Sequence, residues 1–359
     1  MKLKIISILI CILFVFCSCG KAGVISSSEI ASVVSNAPSS SNVSINESSS
    51  SSQATTSNES KQPPVSSEIT LSTKPYTVES VGDTDLLSLV TDHGTSVVGY
   101  GELKNESYNS ALKELESVLD NYSREISVVC YSLNNKKALS YNTNARLFCA
   151  CTVKASFNLF ACKEMDKGVA NLDTVMTYEK KHYEPGTGDM QYSPYGTKFN
   201  MKTILHKSMS ISDNVGYLMS VDYFGREKYN SFAENLGISS LKIKPTVWAL
   251  KAGTKDLAVT WREIYKYVNS NAKHAEFLYS TCTNTPDNYA TLALGKKYTI
   301  SHKQGHNNTA DWPSYSDAGI VWKGNDAYII AVITNSLGPN AESRKVMSDT
   351  IKIIDEKLF

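Results

Sequence analysis

The spacing of hydrophobic residues predicts a folded region that begins near residue 108. Residues 108–122 carry apolar side chains at helical spacing, which predicts an amphipathic helix. These apolar positions are Ala111, Leu112, Leu115, Val118 and Leu119. Residues 126–133 and 137–141 then form two β-rich runs around Asn134-Asn135, a pattern typical of a hairpin.

The pattern changes twice more before the C-terminus. An apolar helical run at 152–165 opens a long, mainly helical middle section, and residues 347–358 form a final helix. Between them lie three strand-like runs, at 298–303, 318–322 and 328–334. Because strands lie on both sides of the helical middle, strands from both ends of the chain must share one sheet.

The N-terminus has the character of an export signal. Lys2 and Lys4 precede an apolar run, Ile5–Phe16, which is shorter than the ~20 residues that span a bilayer. Residues 1–19 are therefore predicted to be a signal peptide. Ser18-Cys19-Gly20 resembles the lipid-attachment site of bacterial lipoproteins, which implies that Cys19 is lipidated. Cleavage without lipidation is the alternative.

Serine dominates the next segment, residues 20–75, and no apolar periodicity is present there. Such a composition cannot bury enough apolar area to offset chain entropy, so we expect a disordered tether. A tail without function is the alternative. Residues 76–107 are left unassigned. The predicted location is extracytoplasmic, with a lipid anchor in the bacterial cell membrane, or secreted if Cys19 is not lipidated.

Charge and cysteine content narrow the function further. The 36 basic and 35 acidic side chains nearly balance, which argues against a nucleic-acid partner. Of eight cysteines, Cys11 and Cys17 would leave with the signal peptide and Cys19 would be lipidated. The remaining five are an odd number, so a disulfide framework is not indicated. We expect a monomer.

Three short motifs carry candidate chemistry. Cys151-Thr152-Val153-Lys154 opens the apolar helix, where positions i and i+3 share one face, so the thiol and the amine can be neighbours. Ser212-Asp213-Asn214 lies in the helical middle section. Lys303-Gln304-Gly305 is predicted to end the first of the three late strands.

The order and spacing of these motifs resemble the serine β-lactamase and penicillin-binding-protein superfamily, especially its class A branch. The signatures of that group are S-x-x-K, S-D-N and K-T-G. Thr177-Tyr178, Tyr192-Ser193-Pro194 and the Asp317–Trp322 strand resemble the same branch. The resemblance covers residues 108–359 and implies an α/β (α+β) fold of the β-lactamase/transpeptidase type. That fold has an antiparallel five-stranded sheet flanked by helices, plus a mostly helical subdomain.

The resemblance implies a catalytic role for three side chains. Cys151 takes the position of the nucleophile, Lys154 is the adjacent base, and Ser212 relays a proton to the leaving group. The backbone N–H groups of Cys151 and His306 would form the oxyanion hole, in which each donor is typically worth ~3 kcal/mol. Neither a metal nor a cofactor is predicted.

The remaining motif residues are assigned to substrate binding by the same resemblance. Asn214 would hydrogen-bond the substrate amide, and Lys303 would attract a substrate carboxylate. Gln304 and Gly305 complete the third motif. Gln304 stands where the family has a threonine or serine, so a hydroxyl that contacts the substrate carboxylate is missing, although the Gln304 amide can still donate.

Cys151 is itself a departure, since the family nucleophile is serine. A model thiol has a pKa of ~8.5 and a lysine ~10.4, so a close pair favours thiolate and ammonium. A helix N-terminus favours the thiolate further. Sulfur is larger than oxygen, however, and a misplacement of ~1 Å can cost ~100-fold in rate. The alternative is that Cys151 is merely a small buried residue.

These features predict a β-lactamase-like hydrolase of the cell envelope, with a place in the antibiotic response. It would act by acyl transfer on β-lactams or on D-Ala-D-Ala-type peptides of the peptidoglycan stem, through a covalent acyl-enzyme. The alternative is a catalytically degenerate, non-enzymatic cell-wall-binding lipoprotein that retains the cleft. A metal site at His302 and His306 is disfavoured, because the residues around these histidines are strand-like. A Cys-His peptidase is disfavoured, because the sequences that flank the catalytic cysteine in such peptidases are absent.

Hydrolysis of a β-lactam is predicted to be slow. Class A enzymes use a loop glutamate to activate water, whereas residues 241–256 contain no glutamate, and a general base typically contributes ~100- to 10,000-fold. Progress curves should show a burst of one product equivalent and then a slow steady state. A fast linear curve would instead indicate another base, and Glu184 would be the first residue to replace.

Overall fold

The computed structural model describes residues 71–72, 86–134, 136–245, 250–285, 293–324 and 326–359. The predicted signal peptide, Cys19 and nearly all of the predicted tether lie outside these residues. Among the helices within them, none is both long enough and apolar enough to cross a membrane.

The helices and strands of these residues follow the order predicted from the sequence, with several short elements added. The helices are α1 Leu86–Leu89, α2 Asn109–Asp120, α3 Val153–Asp166, α4 Met201–Ser210, α5 Asn214–Phe224, α6 Arg226–Asn235, α7 Thr254–Val268, α8 Ala275–Thr283 and α9 Ala341–Ile353. The strands are β1 Val98–Gly101, β2 Ile126–Ser132, β3 Lys137–Tyr141, β4 Leu147–Phe148, β5 Val175–Thr177, β6 Lys198–Asn200, β7 Lys251–Ala252, β8 Thr299–Asn307, β9 Ser314–Lys323 and β10 Asp326–Thr334.

One antiparallel sheet joins both ends of the folded region, as the strand pattern predicted. Its order is β1-β3-β2-β10-β9-β8, so β10 pairs with β2 near the middle of the sheet. All five strands predicted from the sequence are present. The sixth, β1, comes from the stretch that the sequence left unassigned and pairs with β3 at one edge. The opposite edge of the sheet is β8.

The two faces of the sheet pack against different layers of helices. Alternate residues of β10, such as Ile329 and Ile333, belong to the same core cluster as Phe157 of α3 and Trp261 of α7. Their neighbours, such as Ile330, pack instead with residues of α2 and α9. This alternation is the period-two pattern of a strand with both faces buried, and it places the helical subdomain on the face that carries α3.

Two boundaries differ from the sequence-based expectations. Strand β8 does not end at Lys303-Gln304-Gly305 but continues through Asn307, because its pairing with β9 runs on to Ser314. The last helix begins at Ala341 rather than at residue 347, since Asn340 caps it through a hydrogen bond from Ser343 N. The residues after it, Ile354–Leu358, form a π-helical turn.

A buried carboxylate in this last turn fastens the C-terminus to the sheet. Asp355 accepts hydrogen bonds from Lys297 Nζ at 3.2 Å and from Lys323 Nζ at 3.0 Å. The hydroxyls of Tyr298 and Tyr328 also donate to it, each at 3.3 Å. Four donors therefore share one carboxylate that is almost completely removed from solvent.

Replacing Asp355 by Asn should destabilise the fold by about 1.5–3 kcal/mol, because hydrogen bonds to a charged group would be lost in a buried place. Urea unfolding monitored by circular dichroism measures this difference. Glu356→Gln is the matched control, since its neighbouring carboxylate is exposed. Equal midpoints for the two variants would contradict the role given to Asp355.

Candidate active site

Cys151 lies on a tight turn that leads into α3. Residues Ala150–Thr152 form one turn of 3-10 helix, and Ala150 has a positive φ of 45°. Cys149, the residue before this turn, anchors it through one hydrogen bond from its N–H group and one to its carbonyl oxygen. Cys149 N donates to Leu250 O at 2.8 Å, and Ser316 Oγ donates to Cys149 O at 3.1 Å. The thiol is thus held between the helical subdomain and the edge of the sheet.

Gly305 on β8 makes the close approach of this turn to the sheet possible. A Cβ atom at Gly305 would lie 2.6 Å from Cys149 O and 2.7 Å from Cys151 N, which is closer than a side chain can come. The third motif therefore contains glycine for a steric reason. Its position near the end of β8 lets the strand lie against the backbone of Cys151.

Lys154 lies one helical turn after Cys151 and is fully buried. Its Nζ donates to Ser212 O at 2.6 Å, to Asn214 Oδ1 at 2.8 Å and to Asp213 O at 3.4 Å. Each of these three oxygens can only accept, and the Cys151 sulfur is a further partner of the same nitrogen, so the N–H groups of Lys154 are shared among several acceptors. Ser212 Oγ lies 3.4 Å from the same nitrogen.

The second motif is an irregular loop between α4 and α5. Ser212 has a φ of 58°, an unusual conformation for a residue with a side chain. Asp213 stabilises the loop as the N-cap of α5, because its carboxylate accepts from Gly216 N at 2.8 Å and from Met190 N at 2.9 Å. Burial raises the pKa of Asp213, against the effect of those two hydrogen bonds.

Thr187 is part of this arrangement and was not identified from the sequence. Its Oγ1 donates to Ser212 O at 2.6 Å and lies 3.3 Å from Asn214 Oδ1. Gly188 in the same loop indicates this close packing, because a Cβ atom there would lie 2.1 Å from Asp213 Oδ2. Glycine lets this loop pack directly on the second motif.

The structure brings all eight predicted motif residues together. Six line one cleft: Cys151, Ser212, Lys303, Gln304, Gly305 and His306. Lys154 and Asn214 lie directly behind this lining and are hydrogen-bonded to each other. Thr187 and Thr285 also line the cleft. Lys303 is buried on β8, and its Nζ donates to Gln304 O at 2.8 Å.

The electrostatics of the cleft favour a thiolate. Burial alone would raise the pKa of the Cys151 thiol, but the positive charges of Lys154 and Lys303 lower it below its ordinary value. Hydrogen bonds from Ser212 and Lys154 to the sulfur act in the same direction. Burial also lowers the pKa of Lys303, to about 8. By contrast, burial raises the pKa of Cys149 to about 11.

Lys154 is subject to opposing effects. Burial lowers the pKa of its ammonium group below its ordinary value, although the negative charges of Cys151 and Asp213 act in the opposite direction. Glu184, in the loop before Thr187, contributes a smaller effect of the same sign. Because three acceptor oxygens surround Nζ, we describe Cys151 and Lys154 as a thiolate–ammonium pair.

The site combines a nucleophile at the start of a buried helix with a lysine on the next turn of that helix. A Ser-Asp-Asn loop and a lysine on the edge strand complete it. This combination defines the class of β-lactamases and penicillin-binding proteins that use a side-chain nucleophile. The chain belongs to the beta-lactamase enzyme family, which it matches over residues 110–356. Its fold and its motifs therefore lead to the same family, and the protein is a β-lactamase-like hydrolase.

Known proteins with similar sequence or structure agree with this assignment. Beta-lactamase VEB-1 of Pseudomonas aeruginosa is 22% identical over 270 residues, which cover 69% of this chain and 90% of that protein. PBP-A superposes with a TM-score of 0.63 at 18% identity, over 68% of this chain and 94% of that one. A PBP-A variant has been described as an acyl-enzyme complex with penicillin G. The TLA-1 extended-spectrum β-lactamase gives a TM-score of 0.63 at 19% identity, over 70% of this chain and 99% of that one.

The pair formed by Cys151 and Lys154 predicts a reactive thiol at neutral pH. In a series of iodoacetamide reactions at increasing pH, the half-point for alkylation of Cys151 should lie below that of an ordinary thiol. Lys154→Met should move it upward and slow alkylation at pH 7, because a buried thiolate would lose its nearest cation. Peptide mapping by mass spectrometry identifies the modified residue.

Lys163→Met is the matched control, because Lys163 lies on the same helix but places its Nζ over the ring of Tyr267 instead. It should leave the alkylation profile unchanged. If Lys154→Met and Lys163→Met give the same profile, the thiolate is not stabilised by Lys154.

Proposed function

We propose that this protein carries out acyl transfer through a thioester at Cys151, with a β-lactam or a D-Ala-D-Ala-type peptide as the acyl donor. The observation that carries the proposal is that Cys151 and Ser212 line a single cleft, with Lys154 Nζ 3.4 Å from Ser212 Oγ and its charge acting on the thiol. A cysteine that was merely a small core residue would not need two polar partners or two neighbouring lysines.

The geometry supports the following acylation chemistry. The Cys151 thiolate attacks the substrate carbonyl carbon, and the C–N bond of the substrate breaks as the thioester forms. The departing nitrogen takes a proton from the Ser212 hydroxyl, which is replaced by a proton from the Lys154 ammonium. The Lys154 Nζ to Ser212 Oγ separation of 3.4 Å is slightly longer than the ~2.6–3.2 Å of an aligned proton transfer, and such contacts often tighten only when substrate binds.

Substrate recognition is proposed to begin with charge. Lys303 is the cation at the sheet edge of the cleft, and both proposed donors carry a carboxylate near the scissile amide. Asn214 is already committed to the loop, since its Nδ2 donates to Pro185 O at 3.1 Å. The Nδ2 group carries two hydrogens, so Asn214 can contact a substrate amide without giving up this bond.

Slow deacylation follows in this proposal from the absence of a glutamate in residues 241–256. The Lys154 that gave up its proton during acylation could instead accept one from water. This resembles penicillin-binding behaviour more than efficient hydrolysis. The remaining sequence-based expectations extend the proposal: export by residues 1–19, lipidation at Cys19, a tether of residues 20–75 and attachment to the cell membrane.

Incubation with benzylpenicillin, followed by intact-mass measurement, tests this function. The wild-type protein should gain the mass of one penicilloyl group, and hydroxylamine should remove it because a thioester is labile to this reagent. Cys151→Ser should acylate faster, since the motif set is arranged around an oxygen nucleophile, and Cys151→Ala should show no adduct.

Absence of an adduct on both the wild-type protein and Cys151→Ser would overturn acyl transfer and favour a non-enzymatic wall-binding lipoprotein. An adduct on Cys151→Ala would place the nucleophile elsewhere. Gln304→Thr distinguishes a damaged binding site from a damaged nucleophile. It should increase acylation only if the missing hydroxyl limits binding.

A further inference from the structure

A hydroxyl, an imidazole and a carboxylate lie in a row beside the cleft, and the three motifs do not include them. Thr285 lines the same cleft as Cys151 and Lys303, and its Oγ1 hydrogen-bonds His302 Nε2. On the other side of the ring, His302 Nδ1 lies 3.2 Å from Asp317 Oδ1. His302 and Asp317 are both buried, with 2% and 5% of their surfaces exposed.

The donor and acceptor properties of these groups determine the direction of the hydrogen bonds along the row. A carboxylate at Asp317 can only accept, so Nδ1 of His302 must carry a hydrogen. When the imidazole is neutral, Nε2 is an acceptor and takes the Thr285 hydroxyl hydrogen. When the imidazole is charged, Nε2 donates to Thr285 Oγ1 instead, and the Thr285 hydroxyl hydrogen becomes available to the cleft.

The carboxylate at the far end of the row is buried and only partly hydrogen-bonded. Asp317 Oδ2 is buried, and no hydrogen-bond partner for it is found among the described residues. The void that His302 and Asp317 face between the sheet and α9 is otherwise lined by Gly319 and by apolar residues, including Ile300 and Val321. The hydrogen bond from His302 Nδ1 therefore partners Oδ1 of this carboxylate and not Oδ2.

We propose that Thr285 is the hydroxyl donor for the substrate carboxylate, and that His302, held by Asp317, sets its direction. Thr285 would thereby supply the hydroxyl that Gln304 lacks. Binding of a carboxylate would then draw a proton onto His302, so that a charged ligand and a proton bind together. The inference rests on the proposed function, because it assigns part of the substrate site of the same cleft.

Other titratable groups surround the row and must be separated from it. On β8, Lys303 and His306 face the cleft, and on β9 Tyr315 lies in the electrostatic field of Asp317. Across the cleft stands the Cys151 thiol. A bulk pH profile would combine these groups, so the experiment must observe His302 itself.

The first measurement compares the acylation rates of benzylpenicillin and its methyl ester. Thr285→Val should slow the acid about 10- to 100-fold, the equivalent of one hydrogen bond to a charged group, and leave the ester unchanged. Thr285→Ser should restore the acid rate. Thr283→Val is the matched control, because the Thr283 hydroxyl donates to Tyr279 O at 2.7 Å and is not part of the cleft lining.

The second measurement is independent of acylation. In Cys151→Ala protein with ¹⁵N-labelled histidine at pH 7.5, benzylpenicillin should move the His302 ring nitrogens toward the imidazolium position. The same titration in Cys151→Ala/Thr285→Val protein should leave them in place.

Equal slowing of acid and ester by Thr285→Val, or unchanged His302 signals when penicillin is added, would overturn the inference. If the wild-type protein forms no adduct, the proposed acyl transfer fails. The nitrogen signals of His302 still decide whether Thr285 and His302 bind the carboxylate.

Discussion

The ammonium group of Lys154 is fully buried, so protein atoms must supply the hydrogen bonds and the negative charge that water would otherwise provide. This requirement shapes the helical side of the cleft. The Ser212-Asp213-Asn214 loop turns three oxygens toward Nζ, and it does so with Ser212 in a left-handed conformation. Strain of that kind, which costs on the order of 1–3 kcal/mol, persists only when the surroundings compensate for it. Thr187 and the capping carboxylate of Asp213 provide that compensation.

The sheet side of the cleft depends on a different constraint, which is steric. Gly305 allows β8 to lie against the backbone of Cys149 and Cys151, and the long pairing of β8 with β9 holds the strand in this place. Lys303 is brought close to the thiol by the same pairing. The reactive sulfur is therefore positioned by a rigid strand on one side and by a buried cation on the other. Neither support alone would define both its position and its charge.

Much of this site could be predicted from the sequence, because the motif residues can be identified by their spacing. Cys151 and Lys154 are separated by one helical turn, and the Ser212 and Lys303 motifs follow in order. Thr187 and Thr285 could not be found in this way, since each lies in a loop and contacts a residue that is distant along the chain. Thr187 contacts Ser212 of the second motif, and Thr285 contacts His302 on β8. The end of β8 was placed too early because Gln304, Gly305 and His306 are not typical strand residues. The start of α9 was placed too late because its first turn is polar and its cap, Asn340, lies outside the apolar repeat.

The thiolate–ammonium pair has a consequence beyond acyl chemistry. A serine hydroxyl is inert to mild oxidants, whereas an accessible thiolate is converted by peroxide to a sulfenic acid, which thiols can reduce again. The features that lower the Cys151 pKa also increase this sensitivity. We therefore expect peroxide to block this nucleophile reversibly, whereas a serine at the same position would be unaffected.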